Sequence, residues 1–278
     1  MKVLLLYEHI QTRIIFITNN NFEIEKYLYA KFGTYLNRID MDPDKRVLYE
    51  DAIVVEFDDS HLIAHIPGTP GTVKRPLQEL NNFLFENIKY SDNLIVLHGA
   101  AVTYNGNAYL LLGSTSKGKT TLASYLSSCG FGYITDDHIL IEKNTNKIIP
   151  FPTPIQLREG GYNILKKLNM CPVDKIKLIN WIGYERYVYT PSYIIEKNVD
   201  VASVIFICRS TGINDISVLT PSSVLMGLLH SPIVNYDITP DYLKCLVFLS
   251  RKMCYDIHYA DMDYVKDTII HLDSKNIE

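Results

Sequence analysis

The chain has 278 residues, of which 47% are hydrophobic and 21% charged, and its formal net charge is −4. That length holds one large domain or a main domain with a small lobe, and the composition excludes bulk disorder. Without a run of basic residues it lacks the mark of a sequence-independent nucleic-acid binder. Five scattered cysteines, none in a C-x-x-C pair, argue against a zinc site or a disulfide framework. The apolar start Met1–Tyr7 is too short for a signal peptide, and no stretch approaches the ~18 apolar residues of a membrane span. A cytoplasmic protein with no nucleic-acid and no membrane partner is expected.

Residues 1–90 read as a small N-terminal α/β region. Val3–Tyr7 and Arg13–Thr18 have strand character, and Glu23–Phe32 has helical spacing. Ala52–Phe57 and His61–His65 form a hairpin across Asp58–Ser60. Pro67–Gly71 is a loop, because two prolines and two glycines leave few regular conformations. A helical stripe follows over Leu77–Ile88.

From about residue 91 the pattern sharpens. Asn93–Thr103 reads as one strand, Asn105–Gly106 as a tight turn, and Ala108–Leu112 as a buried return strand. Thr121–Ser128 is helical and stops near Gly130. Phe131–Thr135 is a short strand that delivers Asp136, Asp137 and His138, and Ile139–Glu142 continues it. Val201–Cys208 is an apolar strand ending at Arg209. Thr220–Pro221 and Thr239–Pro240 each announce a helix, with Thr at the cap and Pro in the first turn. Cys254–Tyr259 is a last strand, and Asp261 caps a closing helix.

Between the return strand and the first helix of this region lies Gly113-Ser114-Thr115-Ser116-Lys117-Gly118-Lys119-Thr120, which fits G-x-x-x-x-G-K-[ST]. The glycines let successive N–H groups turn inward toward phosphate oxygens, and the following helix adds its positive end. Lys119 reaches the β- and γ-phosphates, and the Thr120 hydroxyl can ligate Mg²⁺; Thr121 completes the nucleotide-binding stretch. A chain this long matches the pattern by chance roughly once in a hundred, and the strand-loop-helix context strengthens it. ATP and Mg²⁺ are therefore the expected ligands.

Asp136–Asp137 comes 16 residues after Thr120, room for a helix and a return strand that bring the pair beside the loop. One carboxylate there can hold Mg²⁺, and the other can take a proton from an attacking hydroxyl. His98 lies among the small residues Gly99, Ala100 and Ala101, with space for a ligand. Arg158 and Arg209 are candidates for stabilising charge on a transferring phosphoryl group. His230, His258 and His271 have no metal-site spacing.

The segment His98–Val102, the turn, the phosphate loop, its helix and Gly130–Asp137 together resemble the core of the HPr kinase/phosphorylase family. The resemblance is strong over about residues 95–142, and is greater still to the shorter HPr-kinase-like proteins found beside peptide-modifying enzymes. It implies a P-loop kinase core with a mixed sheet in residues 91–278. It also implies His98 as a contact to phosphate or substrate, Asp137 as proton acceptor from a serine, and Asp136 as the metal-side carboxylate, the last two being exchangeable. Ser116 stands where a glycine is usual in the loop. The family's later glycine-rich signature is absent, Arg158-Glu159-Gly160-Gly161 being the nearest segment.

An ATP-dependent serine kinase acting on a ribosomally made precursor peptide or small protein is the leading expectation, with a homo-oligomer in keeping with the family. Its rivals are a nucleotide-hydrolysing regulator, a nucleotide-binding module without catalysis, and a kinase of a small alcohol. Residues 1–90 are expected to dock the acceptor peptide, with strand addition to an exposed sheet edge as the mode.

Overall fold

The computed structural model describes residues 4–9, 12–19, 21–39, 51–58, 60–80, 83–84, 93–170, 172, 175–181, 184–230 and 239–275. It divides into two compact units: residues 1–91 with 177–188, and residues 92–176 with 189–278. Cys171 and half of the helical stripe expected over Leu77–Ile88 lie outside the described residues.

In the first unit, β1 (Leu4–His9) pairs antiparallel with β2 (Thr12–Ile17), and α1 (Phe22–Phe32) follows. The Asn21 side chain caps α1 by accepting from the Ile24 N–H, and Gly33 ends it at a φ of 56°. β3 (Leu36–Ile39), β4 (Ile53–Phe57), β5 (His61–His65) and β6 (Val73–Pro76) complete a six-stranded sheet in the order β3-β1-β2-β4-β5-β6. Alternation sends Leu5, Tyr7, Ile14 and Phe16 to one face, where they bury against Ile24, Leu28 and Phe32 of α1. The expected β4–β5 hairpin is present.

The second unit begins with β7 (Leu94–His98) and β8 (Ala100–Tyr104), then β9 (Asn107–Leu112), α2 (Lys119–Ser128), β10 (Gly132–Thr135), β11 (His138–Glu142) and β12 (Ile148–Ile149). β13 (Ile155–Leu157) and α3 (Glu159–Lys167) come next. β14 (Lys177–Trp181) and β15 (Tyr184–Tyr189) then form an antiparallel hairpin, most of which groups with the first unit. The chain resumes with β16 (Val201–Arg209), β17 (Asp215–Val218), α4 (Pro221–His230), α5 (Pro240–Ser250), β18 (Met253–Tyr259) and α6 (Met262–Lys275).

Its main sheet is mixed, in the order β10-β8-β9-β16-β18-β17. β9, β16 and β18 run parallel; Arg209 and Tyr259 end side by side, while Leu112 ends level with Phe206. Ligands of α/β sheets gather at such carboxyl ends. Along β9, Leu110 and Leu112 face a core with Val224 and Leu228 of α4 and Leu246 and Leu249 of α5. Tyr109 faces the other way, toward α6. The sheet is therefore covered on both sides, which suits its continuously apolar central strands.

The expected single strand Asn93–Thr103 is instead two strands in two sheets. β8 pairs with β10, while β7 pairs with β11 in a three-stranded sheet with β12. Likewise Ile139–Glu142 does not continue the sheet of Phe131–Thr135. Both strands of the ribbon break at one level, Gly99 on one and Asp136–Asp137 on the other. A Cβ at Gly99 would lie 2.7 Å from Leu112 Cδ2 and 2.9 Å from both Ile139 Cδ1 and the Leu111 carbonyl oxygen. Only glycine lets the chain bend there. Opposite, Asp137 takes a φ of 76°, and its carbonyl accepts from the Gly99 N–H at 3.2 Å.

Candidate active site

The phosphate-loop sequence leaves β9 at Leu112 and crosses the end of β16 at Gly113, whose φ is 147°. A Cβ on Gly113 would sit 2.7 Å from the Ile207 carbonyl oxygen. Ser116 turns the backbone at a φ of 67° and Gly118 at 94°. Gly118 also makes room for Tyr259, whose hydroxyl would be 2.6 Å from an added Cβ. α2 then starts at Lys119 with no side-chain cap and no acid in its first turn. The positive end of the helix therefore opens on the loop without an anionic side chain of its own, as an anion site requires.

Lys119 is 7% exposed, and its Nζ donates to the carbonyls of Gly113 at 2.7 Å and Ser114 at 3.2 Å. Burial holds its pKa below the usual lysine value, against the pull of Asp136 and Asp137. The Thr120 hydroxyl donates to Asp136 Oδ1 at 3.2 Å, so the helix start and the acid pair meet. The break in the ribbon separates the two acids: Asp136 is buried and Asp137 is exposed. Burial, with the neighbouring Asp137 charge, raises Asp136 from 3.8 to about 8; the Thr120 hydroxyl and Lys119 only partly oppose this.

His98, at the end of β7, is half-buried opposite His138. Burial and the Lys119 cation lower its pKa, while Asp137, through its charge and its backbone carbonyl, works upward. His98, Lys119 and both acids thus share one electrostatic neighbourhood. The neutral imidazole favoured there can accept as well as donate a hydrogen bond.

The remaining candidates are spread around this centre. Ser114, Thr115 and Ser116 are exposed along the loop, and Lys117 and Thr121 are half-buried. The Thr121 hydroxyl faces α3, 2.6 Å from where a Cβ on Gly161 would lie. Arg158 Nη1 reaches Ser116 Oγ at 3.4 Å. Arg209 stands at the end of β16, beside Tyr259 and on the other side of β9 from the strands that carry the acids. His258 is paired with Asp256 on the surface at 3.5 Å. Among the described residues no three His, Cys, Asp or Glu converge on a metal position. None of their helices is long and apolar enough to cross a membrane.

Two neighbours of the site were not legible in the sequence. Tyr259, beneath Gly118, has the pattern of an ordinary strand aromatic. Tyr133, fully buried, feels both acids and donates to the Thr153 carbonyl at 2.9 Å. Its position on the strand leading to Asp136 was the one available signal.

No protein-family model matches the sequence, and no curated protein is similar to it. Among solved structures, the chain is similar to the HPr(Ser) kinase/phosphatase from Coxiella burnetii. The TM-score is 0.31 at 10% identity, over 64% of this chain and 98% of that one. So loose an overlay carries no functional weight, which falls instead on the geometry of the residues themselves.

Proposed function

We propose that this chain is an ATP-dependent kinase that transfers the γ-phosphate to a serine hydroxyl, in a ribosomally made precursor peptide or small protein of the cytoplasm. The observation that carries the reading is the meeting of Thr120 with Asp136 beside an exposed Asp137, at the mouth of a loop whose lysine is buried. A site for hydrolysis or simple binding does not by itself need two adjacent acids in such different environments.

The residues divide the work. The loop N–H groups of 113–118 and the start of α2 hold the phosphates of ATP, and Lys119 exchanges its bonds to Gly113 and Ser114 for phosphate oxygens. Thr120 and Asp136 supply adjacent hard oxygen donors, which fit Mg²⁺ better than a softer metal. That ion, when bound, neutralises charge on the β- and γ-oxygens. Asp137, exposed and ionisable, accepts the proton as the serine oxygen bonds to the γ-phosphorus and the bond to the ADP oxygen breaks. His98 orients the acceptor or the terminal phosphate. The first unit is the proposed peptide dock, with β3 and β6 as the edges of its sheet among the described residues.

The test is incubation with γ-labelled ATP, Mg²⁺ and candidate precursor peptides, followed by mapping of the labelled residue. Label on serine, lost in Asp137→Asn, is the expected result. Release of inorganic phosphate with no labelled acceptor would instead support a nucleotide-hydrolysing regulator, and label on a small alcohol would move the acceptor class.

A further inference from the structure

We infer that Arg158 is a second cation for the terminal phosphate of the nucleotide, delivered over the loop by α3. The inference rests on the kinase reading of the site and adds to it a residue that contacts the transferring group.

The placement starts from packing. β13 ends in Leu157, which is buried, and α3 is anchored by the buried Leu165. Between them, Gly161 sits so close to α2 that a Cβ would lie 2.6 Å from the Thr121 hydroxyl. The start of α3 is therefore held against the first turn of the phosphate-loop helix. Arg158 caps α3 with extended backbone, φ −73° and ψ 161°, and its side chain projects from this fixed point. Nη1 comes to 3.4 Å from Ser116 Oγ, on the residue that turns the loop at a φ of 67°.

Chemistry supplies the role. Among the described residues Arg158 pairs with no carboxylate, so a guanidinium with five donors meets a single hydroxyl. Arginine matches a phosphate with two parallel hydrogen bonds where lysine offers a point charge. Location then separates the two arginine candidates. Phe151, seven residues before Arg158, bridges to Thr135 next to Asp136, so the segment that leads into β13 and Arg158 sets out from the acid side of the loop, and Arg158 itself reaches the loop at Ser116. Arg209 lies on the opposite side of β9. The acids mark the end of the nucleotide where transfer occurs, and a cation there stabilises charge as the bridging bond breaks.

The experiment compares full-length wild type, Arg158→Ala and Arg158→Lys by calorimetric titration with ATP and with ADP in Mg²⁺, and by the rate of γ-phosphate loss. Arg158→Ala should weaken ATP about tenfold, leave ADP affinity within about twofold, and slow the rate on the order of 10²- to 10³-fold. Arg158→Lys should recover more of the ATP affinity than of the rate. Equal effects on ATP and ADP, or none on either, would overturn the inference while leaving the kinase reading in place. A wild type that binds neither nucleotide would take down both.

Discussion

Asp136 and Asp273 are both buried carboxylates of the second unit, and they differ in the donors that reach them. Asp273, on α6, accepts from the Asn105 and Asn107 amides at 2.8 and 2.9 Å and from the Tyr109 hydroxyl at 2.7 Å. Burial pushes its pKa upward, but the three donors outweigh burial and hold it below 3.8. Asp136 receives the Thr120 hydroxyl and the Asp137 backbone N–H, but it lies fully buried with the Asp137 charge beside it, and its pKa rises to about 8. Asp273 is a finished joint that ties the closing helix to the β8–β9 turn. Asp136 is a buried acceptor short of partners, next to a buried lysine, and a bound ligand would complete its shell. Equal exclusion from water thus leaves one carboxylate with its charge well compensated and the other with its charge poorly compensated.

The largest expected effect belongs to neither of these acids but to the exposed neighbour. Asp137→Asn should lower phosphate transfer on the order of 10²- to 10⁴-fold. Its melting temperature should stay at the wild-type value, because asparagine tolerates positive φ. Wild-type turnover in this variant would remove the base and with it the functional half of the contrast. Asp273→Ala leaves the buried Tyr109 hydroxyl and the more exposed Asn105 and Asn107 amides without their acceptor and should cost about 2 kcal/mol, read by urea unfolding. A loss below about 1 kcal/mol would show that water replaces the carboxylate and the joint is not closed.

Acidity tests the two carboxylates in opposite senses. The folded pKa of Asp273 is depressed, so its stabilisation is present above pH 3.8 and disappears as the pH falls through the folded value. The deficit of Asp273→Asn against wild type should therefore shrink in acid. Asp136 is the reverse: its pKa is raised from 3.8 to about 8, so nucleotide-free wild type loses stability as the pH climbs through that window. Asp136→Asn should gain on wild type over the same range and then level off, even as its Mg²⁺-dependent activity falls. Unfolding curves from about pH 2 to about pH 9 would show the Asp273→Asn deficit shrinking in the acid limb and the Asp136→Asn gain growing from about pH 4 to about pH 8. The smallest change is Ser116→Gly. Release of a left-handed serine should offset the added freedom of the unfolded chain and alter stability by no more than about 1 kcal/mol.

Much of the site was legible locally. The glycines at 113 and 118, Lys119 and Thr120 stand where the motif placed them, between an apolar strand and a helix. The Thr239–Pro240 signal became a helix capped by the Thr239 side chain, and Asp261 caps α6 by accepting from the Asp263 N–H. Other features had no local mark. An unbroken apolar run from Asn93 to Thr103 cannot show a change of partner at Gly99, because the cause is three atoms from distant strands. α3 was missed because Gly160 and Gly161 are poor helix formers, whereas Gly161 is there to fit against Thr121. The β14–β15 hairpin falls in the middle of the second unit's sequence, yet most of it groups with the first unit.

Local chemistry was enough to place strand, glycine turn and helix start in order, because a motif of glycine, lysine and threonine encodes its own backbone turn and helix start. It could not say which of two adjacent, identical acids would be dry. Long-range packing decided that, by breaking the ribbon opposite Gly99 so that Asp136 turns inward and Asp137 outward. The cost of burying a charge depends on everything around the side chain and on nothing within it.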